Sequence, residues 1–216
     1  MQISKLYETK LECSSYNVNI DSTDTTVTLT LVDFNGSPVT NTAVTLKADK
    51  GYFTKAVGKT TTTYTDASAT KTINATTDNN GKVVATWTAS EWGLCTFSAN
   101  NSTIQCLVKG MKKIKTSTNN VLRLYRNDNV MTLACISNSD DVYFAKDEWV
   151  TYSEGFIPSD LVPKSSLVAT NTEAMDCFWL INYQGDVKKR TTRSSNVQNV
   201  KSYSLFTWSI AEGLIE

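Results

Sequence analysis

The sequence predicts an all-β chain built as two successive antiparallel β-sandwiches. Three observations carry that reading. Apolar and polar residues alternate over many short segments, as in Thr26-Val27-Thr28-Leu29-Thr30-Leu31-Val32. A period of two puts one face of each segment in a core and the other in solvent. Clusters of Asn, Asp, Gly and Ser separate these segments at short intervals, as turns do in sandwiches. Threonine is the commonest residue and there are only 3 prolines in 216 residues, a composition that favours uninterrupted strands.

Residues 1–20 mix Ile3, Leu6, Tyr7, Leu11, Val18 and Ile20 with polar side chains and read as an N-terminal arm or a first strand. Val27, Leu29 and Leu31 then share one face of a strand. Asp33-Phe34-Asn35-Gly36-Ser37-Pro38 is a turn signal. Ala43 to Ala48 forms the next strand, and Lys50-Gly51-Tyr52-Phe53 turns again. Residues 51–76 are threonine-rich and weakly apolar, and the pattern leaves their strand layout open. Asp78-Asn79-Asn80-Gly81 is a strong turn, followed by strands over Val83–Thr88, Trp92–Ala99 and Ile104–Val108. Six or seven strands here suit one sandwich. The polar, basic stretch 111–120, with Lys112, Lys113 and Lys115, reads as a linker between a first domain over 21–110 and a second over 121–216. In the second, strand patterns recur at 121–125, 130–136, 141–145, 148–152, 166–169, 175–181, 187–190 and 203–209. That set is consistent with a second antiparallel sandwich or a jelly-roll-like domain.

Charge and composition exclude several function classes. Lysine plus arginine number 21 and aspartate plus glutamate number 21, and each half of the chain is balanced as well. Bulk nucleic-acid binding needs a positive surplus, so no nucleic-acid partner is expected. With no histidine, His-based triads and zinc–imidazole sites are excluded. No cofactor or metal site is expected. No apolar run is long enough to span a membrane, and Met1-Gln-Ile-Ser-Lys lacks the apolar stretch of a secretory signal. The 5 cysteines, Cys13, Cys95, Cys106, Cys135 and Cys177, read as buried small hydrophobes. Cys95 and Cys106 flank a turn and are expected to sit nearly opposite each other, with a cross-strand disulfide as the alternative to simple contact.

Candidate chemistry is sparse. Asp140, Asp141, Asp147, Glu148, Asp176 and Asp186 supply carboxylates that a glycosidase would need, but their spacing does not require a pair. Asp78-Asn79-Asn80-Gly81 opens like a calcium loop yet lacks the later ligands. Lys188, Lys189, Arg190 and Arg193 read as a basic hairpin tip, suited to a solvated loop, to an anionic surface polymer or to a neighbouring subunit. Trp149, Tyr152 and Phe156 lie by strand starts and a corner, and read either as core or subunit-interface residues or, where exposed, as aromatics that stack on a sugar. These seven residues are the candidate binding set.

Residues 25–108 resemble the bacterial immunoglobulin-like repeats found in intimins, invasins and phage virion proteins. The likeness rests on Thr26–Val39, Ala43-Val44-Thr45-Leu46, Thr77–Val83, Trp87–Ser90 and Trp92–Ala99. It departs from the family at 51–76. It implies an immunoglobulin-like sandwich that acts as a spacer without a catalytic site. Residues 140–209 look like the head domain of tailed-phage fibre and baseplate proteins, through Glu154–Pro158, Pro163–Ala169, Trp179–Val187 and Phe206–Ser209. Together these likenesses imply a structural, non-enzymatic protein on a tailed-phage virion, made in the host cytoplasm. It would be a head fibre, a capsid decoration, or a tail or baseplate component. They further imply a homotrimer, other virion structural proteins as neighbours, and a host-surface glycan or protein as the target, without membrane insertion. Residues 1–20 would anchor it. The alternatives are a purely architectural capsid or tail cement protein, or a fragment of a cell-surface adhesin.

Overall fold

Alternating strands close two separate apolar cores, one on each side of Gly110. The computed structural model describes residues 7–65, 70–119, 121–137, 144–170, 176–195 and 202–210. The chain divides into two units, Met1–Gly110 and Met111–Glu216, and each is a β-sandwich of mainly antiparallel strands.

Among the described residues, the first unit runs β1 (Tyr7–Cys13), β2 (Asn17–Asn19), β3 (Thr25–Asp33), β4 (Ala43–Ala48), β5 (Tyr52–Val57), β6 (Thr61–Thr63), β7 (Thr72–Thr76), β8 (Lys82–Thr88), β9 (Gly93–Ala99) and β10 (Ser102–Lys109). One sheet has the order β1-β3-β8-β5-β6 and the other β2-β10-β9-β4-β7. These orders match the A-B-E-D and G-F-C sheets of an immunoglobulin-like domain. The N-terminal strand switches sheets: β1 pairs antiparallel with β3, and β2 then runs parallel to β10. From Tyr7 onward the N-terminal segment is therefore an integral strand, not a free arm. Leu11, Cys13, Val18 and Ile20 are buried, and they hold it in place.

The threonine-rich stretch 51–76 adds an edge to each sheet. β5 and β6 form a hairpin beside β8, and β7 crosses to pair with β4. Residues 66–69 lie outside the described set. Edge strands see solvent on one side and tolerate polar side chains, which is why threonine hides them from a hydrophobic-pattern reading.

Trp87 is the centre of the first core. Its indole is fully buried and meets Phe97 edge-on at 5.0 Å. Its Nε1–H donates to the Lys50 carbonyl at 3.0 Å. The adjoining Gly51 has φ +67°, and a Cβ there would fall 2.6 Å from the indole nitrogen and 2.3 Å from the Thr88 carbonyl. Only glycine lets the chain pass this close.

Among the described residues, the second unit runs β11 (Lys112–Thr116), β12 (Leu122–Asn127), β13 (Val130–Ser137), β14 (Val150–Ser153), β15 (Leu167–Thr170), β16 (Cys177–Ile181), β17 (Val187–Thr191) and β18 (Ser202–Ser209). Its sheets are β11-β12-β13-β18 and β14-β17-β16-β15. The first correction concerns 111–120. Lys112–Thr116 is not a linker but an edge strand paired with β12. Lysines on an edge discourage pairing with another chain, and so they imitate a solvated linker in the sequence. The strand pattern read at 141–145 falls mostly outside the described residues. Within the core, Trp179 meets Phe144 and Tyr152 edge-on at 5.5 and 5.3 Å. Trp208 donates from Nε1 to the Leu161 carbonyl at 2.8 Å.

All five cysteines are buried and carry free thiols. Cys95 and Cys106 face each other directly in the β9–β10 register, as their spacing predicts, without a disulfide. Burial pushes Cys95 up to about 12 and Cys106 up to about 11, and it raises Cys13, Cys135 and Cys177 as well. Thiolate is the reactive form. Ellman's reagent at neutral pH is therefore expected to find no rapidly reacting thiol in the folded protein, and all five in concentrated guanidinium. Rapid reaction of a thiol in the native protein would contradict the burial described.

A second outcome follows from Gly185. It has φ +84°, and a Cβ there would stand 2.4 Å from the Ile157 carbonyl oxygen. Gly185→Ala is expected to cost at least about 2 kcal/mol through strain and clash. The check is a lowered urea midpoint with an unchanged slope.

Candidate functional site

Strand β17 decides what the second unit shows to solvent. It lies between β14 and β16, so Lys188, Lys189 and Arg190 sit inside a sheet. The basic hairpin tip expected from the sequence is corrected accordingly: the tip itself is Tyr183-Gln184-Gly185. Alternation then splits the triplet. Val187, Lys189 and Thr191 are buried, while Lys188 and Arg190 face outward and are half-buried.

The outward face is ordered by cross-strand register. Arg190 lies opposite Phe178 on β16, and Phe178 lies opposite Thr170 on β15. On the other side, the Arg190 guanidinium stacks on Trp149 at 4.7 Å, with Phe178 at 5.9 Å. One row across the sheet is thus Trp149, Arg190, Phe178 and Thr170. The neighbouring row is Thr151, Lys188, Leu180 and Val168. These two rows hold two cations, four apolar or aromatic side chains and two threonines, without a carboxylate. Lys188 and Arg190 make no ion pair among the described residues. Arg190 Nε is buried against its neighbours without a hydrogen-bond acceptor, and stacking on the rings offsets part of that loss. Arg193 lies outside these rows and pairs with Asp176 at 3.1 Å.

Three of the seven candidates turn inward. Phe156 is buried in the core, with Lys115 Nζ 5.0 Å from its ring centroid. Tyr152 packs on Trp179. Lys189 is only 6% exposed, with its ammonium 4.6 Å from the Tyr152 ring centroid and 5.8 Å from that of Phe144. Phe156 and Lys189 are therefore not exposed ligand contacts. Both occupy inward positions that residue type alone does not reveal. Phe178, Leu180 and Val168 were missed for the converse reason. Cys177-Phe178-Trp179-Leu180-Ile181 is apolar throughout, so it carries no alternation to mark its outer face.

The remaining polar features are structurally engaged. An open groove of about 410 Å³ is lined by Ser117, Thr118, Asn119, Tyr152 and Ser153. Its polar atoms largely bond one another: Ser117 Oγ donates to Asn119 Oδ1, and Asn119 Nδ2 donates to the Tyr152 hydroxyl. Asp186 accepts hydrogen bonds from the Gly155 N–H at 2.8 Å and from Asn182 Nδ2 at 2.9 Å. The Gly155 N–H, the Asn182 amide and, more weakly, the Lys188 charge hold its carboxyl below the usual carboxylate range. A glycosidase acid needs the opposite shift. Asp78 Oδ1 accepts from the Asn80 and Lys82 amides, which makes its loop a turn. Among the described residues no group of three or more His, Cys, Asp or Glu is placed to hold a metal. No helix of the described residues is long and apolar enough to cross a membrane.

No protein family and no curated protein matches this chain by sequence. Among solved structures, the adhesin InvE of Yersinia pseudotuberculosis aligns with 94% of the chain at 16% identity and a TM-score of 0.38, and the chain spans 58% of that structure. The D0–D1 domain of intimin aligns with 97% of the chain at 14% identity and a TM-score of 0.34, over 94% of its own length. Domains 5–6 of the S-layer protein SbsC align with 90% of the chain at 13% identity and a TM-score of 0.29, over 97% of their length. The chain is thus similar to β-sandwich domains of bacterial surface proteins; nothing about the site follows from likeness at this level. These structures are adhesins and surface-layer proteins, not parts of a phage particle. The virion, bacteriophage, capsid-decoration and tail-fibre expectation drawn from the likenesses of residues 25–108 and 140–209 is corrected on that ground. The homotrimer and the virion partners rested on the same resemblance and lose their support with it.

Lys189 carries the prediction of this site. Burial pushes its ammonium down to about 8. Between that value and the usual lysine range, the unfolded chain holds a proton that the folded chain has released. Stability therefore rises with pH across this window, and the penalty is full below it. Lys189→Met is expected to be more stable than the parent at neutral pH by about 1 kcal/mol. It should also lose that part of the rise. Identical pH dependence of unfolding in the two proteins would show that Lys189 is not the group responsible.

Proposed function

We propose that the chain is a surface-displayed attachment module of the bacterial adhesin kind. In this reading the first sandwich acts as a spacer and the second presents the outer face of β14-β17-β16-β15. One observation supports the reading above the others: the aromatic–cationic row Trp149–Arg190–Phe178 lies on a solvent face. In the first unit Trp87, Phe53 and Phe97 are buried, and its exposed aromatics, Tyr7, Tyr16 and Phe34, have no cation stacked against them among the described residues. Its binding would be non-covalent and its ligand a molecule on another surface. The chain's similarity to adhesin and surface-layer domains suits this role without assigning it.

The test uses the full chain coupled to beads and a panel of bacterial and animal cell surfaces. Retention on at least one surface is expected. The Trp149→Ala/Arg190→Ala double variant is expected to reduce it by about tenfold or more. Beads that adhere to no surface would refute the attachment role. Adhesion unchanged by the double variant would refute the assigned face.

A further inference from the structure

We infer that the Trp149–Arg190–Phe178 face takes a carboxylate-bearing polysaccharide, a chain of uronic-acid type. The inference rests on the attachment reading and names its ligand class. Shape comes first. The face is one side of a four-stranded sheet, open along its rows, which suits an extended polymer better than a small molecule enclosed in a pocket. Its eight residues fall well short of the roughly 20–30 per side that a stable protein interface uses. A folded protein partner is therefore disfavoured.

Charge comes second. Lys188 and Arg190 are the cations of the two rows, and neither has an ion-pair partner among the described residues. They sit two positions apart on β17, about 7 Å along the strand, so one polymer with repeated negative groups reaches both. Asp186, next along the same strand face, is hydrogen-bonded by the Gly155 amide and Asn182 and offsets part of the Lys188 charge, which leaves Arg190 as the principal cation of the face. Arg193, beyond the strand, is committed to Asp176. Two cations in a chain of zero net charge are too few for nucleic acid.

Chemistry comes third. The Arg190 guanidinium carbon lies 4.7 Å from the Trp149 ring centroid and 5.9 Å from that of Phe178, so the two rings restrict where its planar fork can turn before any ligand arrives. A pre-oriented fork favours a planar carboxylate, which accepts two parallel hydrogen bonds. Trp149, Phe178 and Leu180 offer apolar surface to the C–H faces of sugar rings. Thr151 and Thr170 lie at the ends of the two rows and supply hydroxyls that donate to or accept from sugar hydroxyls. Aromatic surface, an oriented guanidinium, a second cation and hydroxyls at the rim form the complement of a carboxylated sugar chain.

The experiment immobilises the full chain and measures binding of polygalacturonate, dextran, dextran sulfate and polyglutamate at matched chain length. Polygalacturonate is expected to bind best, with affinity falling as salt rises. Arg190→Ala and Trp149→Ala should each weaken it by about tenfold. Arg190→Lys keeps the charge but loses the fork, and it should recover less than half of the lost binding free energy. Urea midpoints near that of the parent show that the variants fold. Equal binding of dextran would overturn the role of the cations. Equal or better binding of dextran sulfate or polyglutamate would overturn the carboxylated-sugar assignment in favour of a sulfated chain or an acidic polypeptide. Full rescue by Arg190→Lys would overturn the role of the fork. If the bead assay shows adhesion that depends on Trp149 and Arg190 while polygalacturonate does not bind, the ligand class fails and the attachment reading stands. If beads adhere to no surface, the attachment reading fails first.

Discussion

The indole of Trp179 fills the middle of the second sandwich, with Phe144 and Tyr152 set edge-on against it at 5.5 and 5.3 Å. Directly opposite it in the ladder stands Lys189. This packing fixes which side of β17 is inside. A slip of one residue would expose Val187 and Thr191 and drive Lys188 and Arg190 into the core, where two unpaired charges are far costlier than one. The order of the outer face, with Arg190 between Trp149 and Phe178, is a consequence of what Trp179 does on the inner one.

Two basic residues adjacent in sequence illustrate how differently a sheet treats its faces. Lys189 points inward, is desolvated, and keeps its ammonium over two aromatic rings. A flexible stem and a titratable amine make lysine tolerable there. Arg190 points outward, where its delocalised, weakly hydrated guanidinium lies over the Trp149 ring. The first is a structural feature that weakens the fold at neutral pH. The second is a surface group with donors to spare. Net charge near zero conceals both, because it averages over faces that solvent distinguishes.

The first sandwich is organised around a comparable pin, but to different effect. Trp87 reaches across its core to Phe97 and hydrogen-bonds the Lys50 carbonyl, with Gly51 admitting the close approach. Cys13, Cys95 and Cys106 lie in the same core as weakly acidic, shielded thiols. Threonine-rich strands at both sheet edges cover this core without adding apolar surface to the outside.

Much of the architecture was legible because burial writes a period of two into a strand. β3, β4, β8, β9 and β10 were readable from Val27, Leu29 and Leu31, from Val44 and Leu46, and from Trp87, Phe97 and Cys106. Where one face is not apolar, the signal fails. β6 and β7 are threonine-rich edges, and β11 is a lysine-rich edge that imitates a linker. Of the candidate site, the sequence supplied Trp149, Lys188 and Arg190 as residue types but not as neighbours. It missed Phe178 and Leu180, and it placed Phe156 and Lys189 on the wrong side. By itself the sequence determined the all-β class, the absence of histidine chemistry and the balance of charge, since these follow from composition and local pattern. Only the tertiary structure decided which of three consecutive basic residues faces solvent and which aromatics flank it. That choice belongs to strand register, and register is set by side chains that meet across the core from distant parts of the chain.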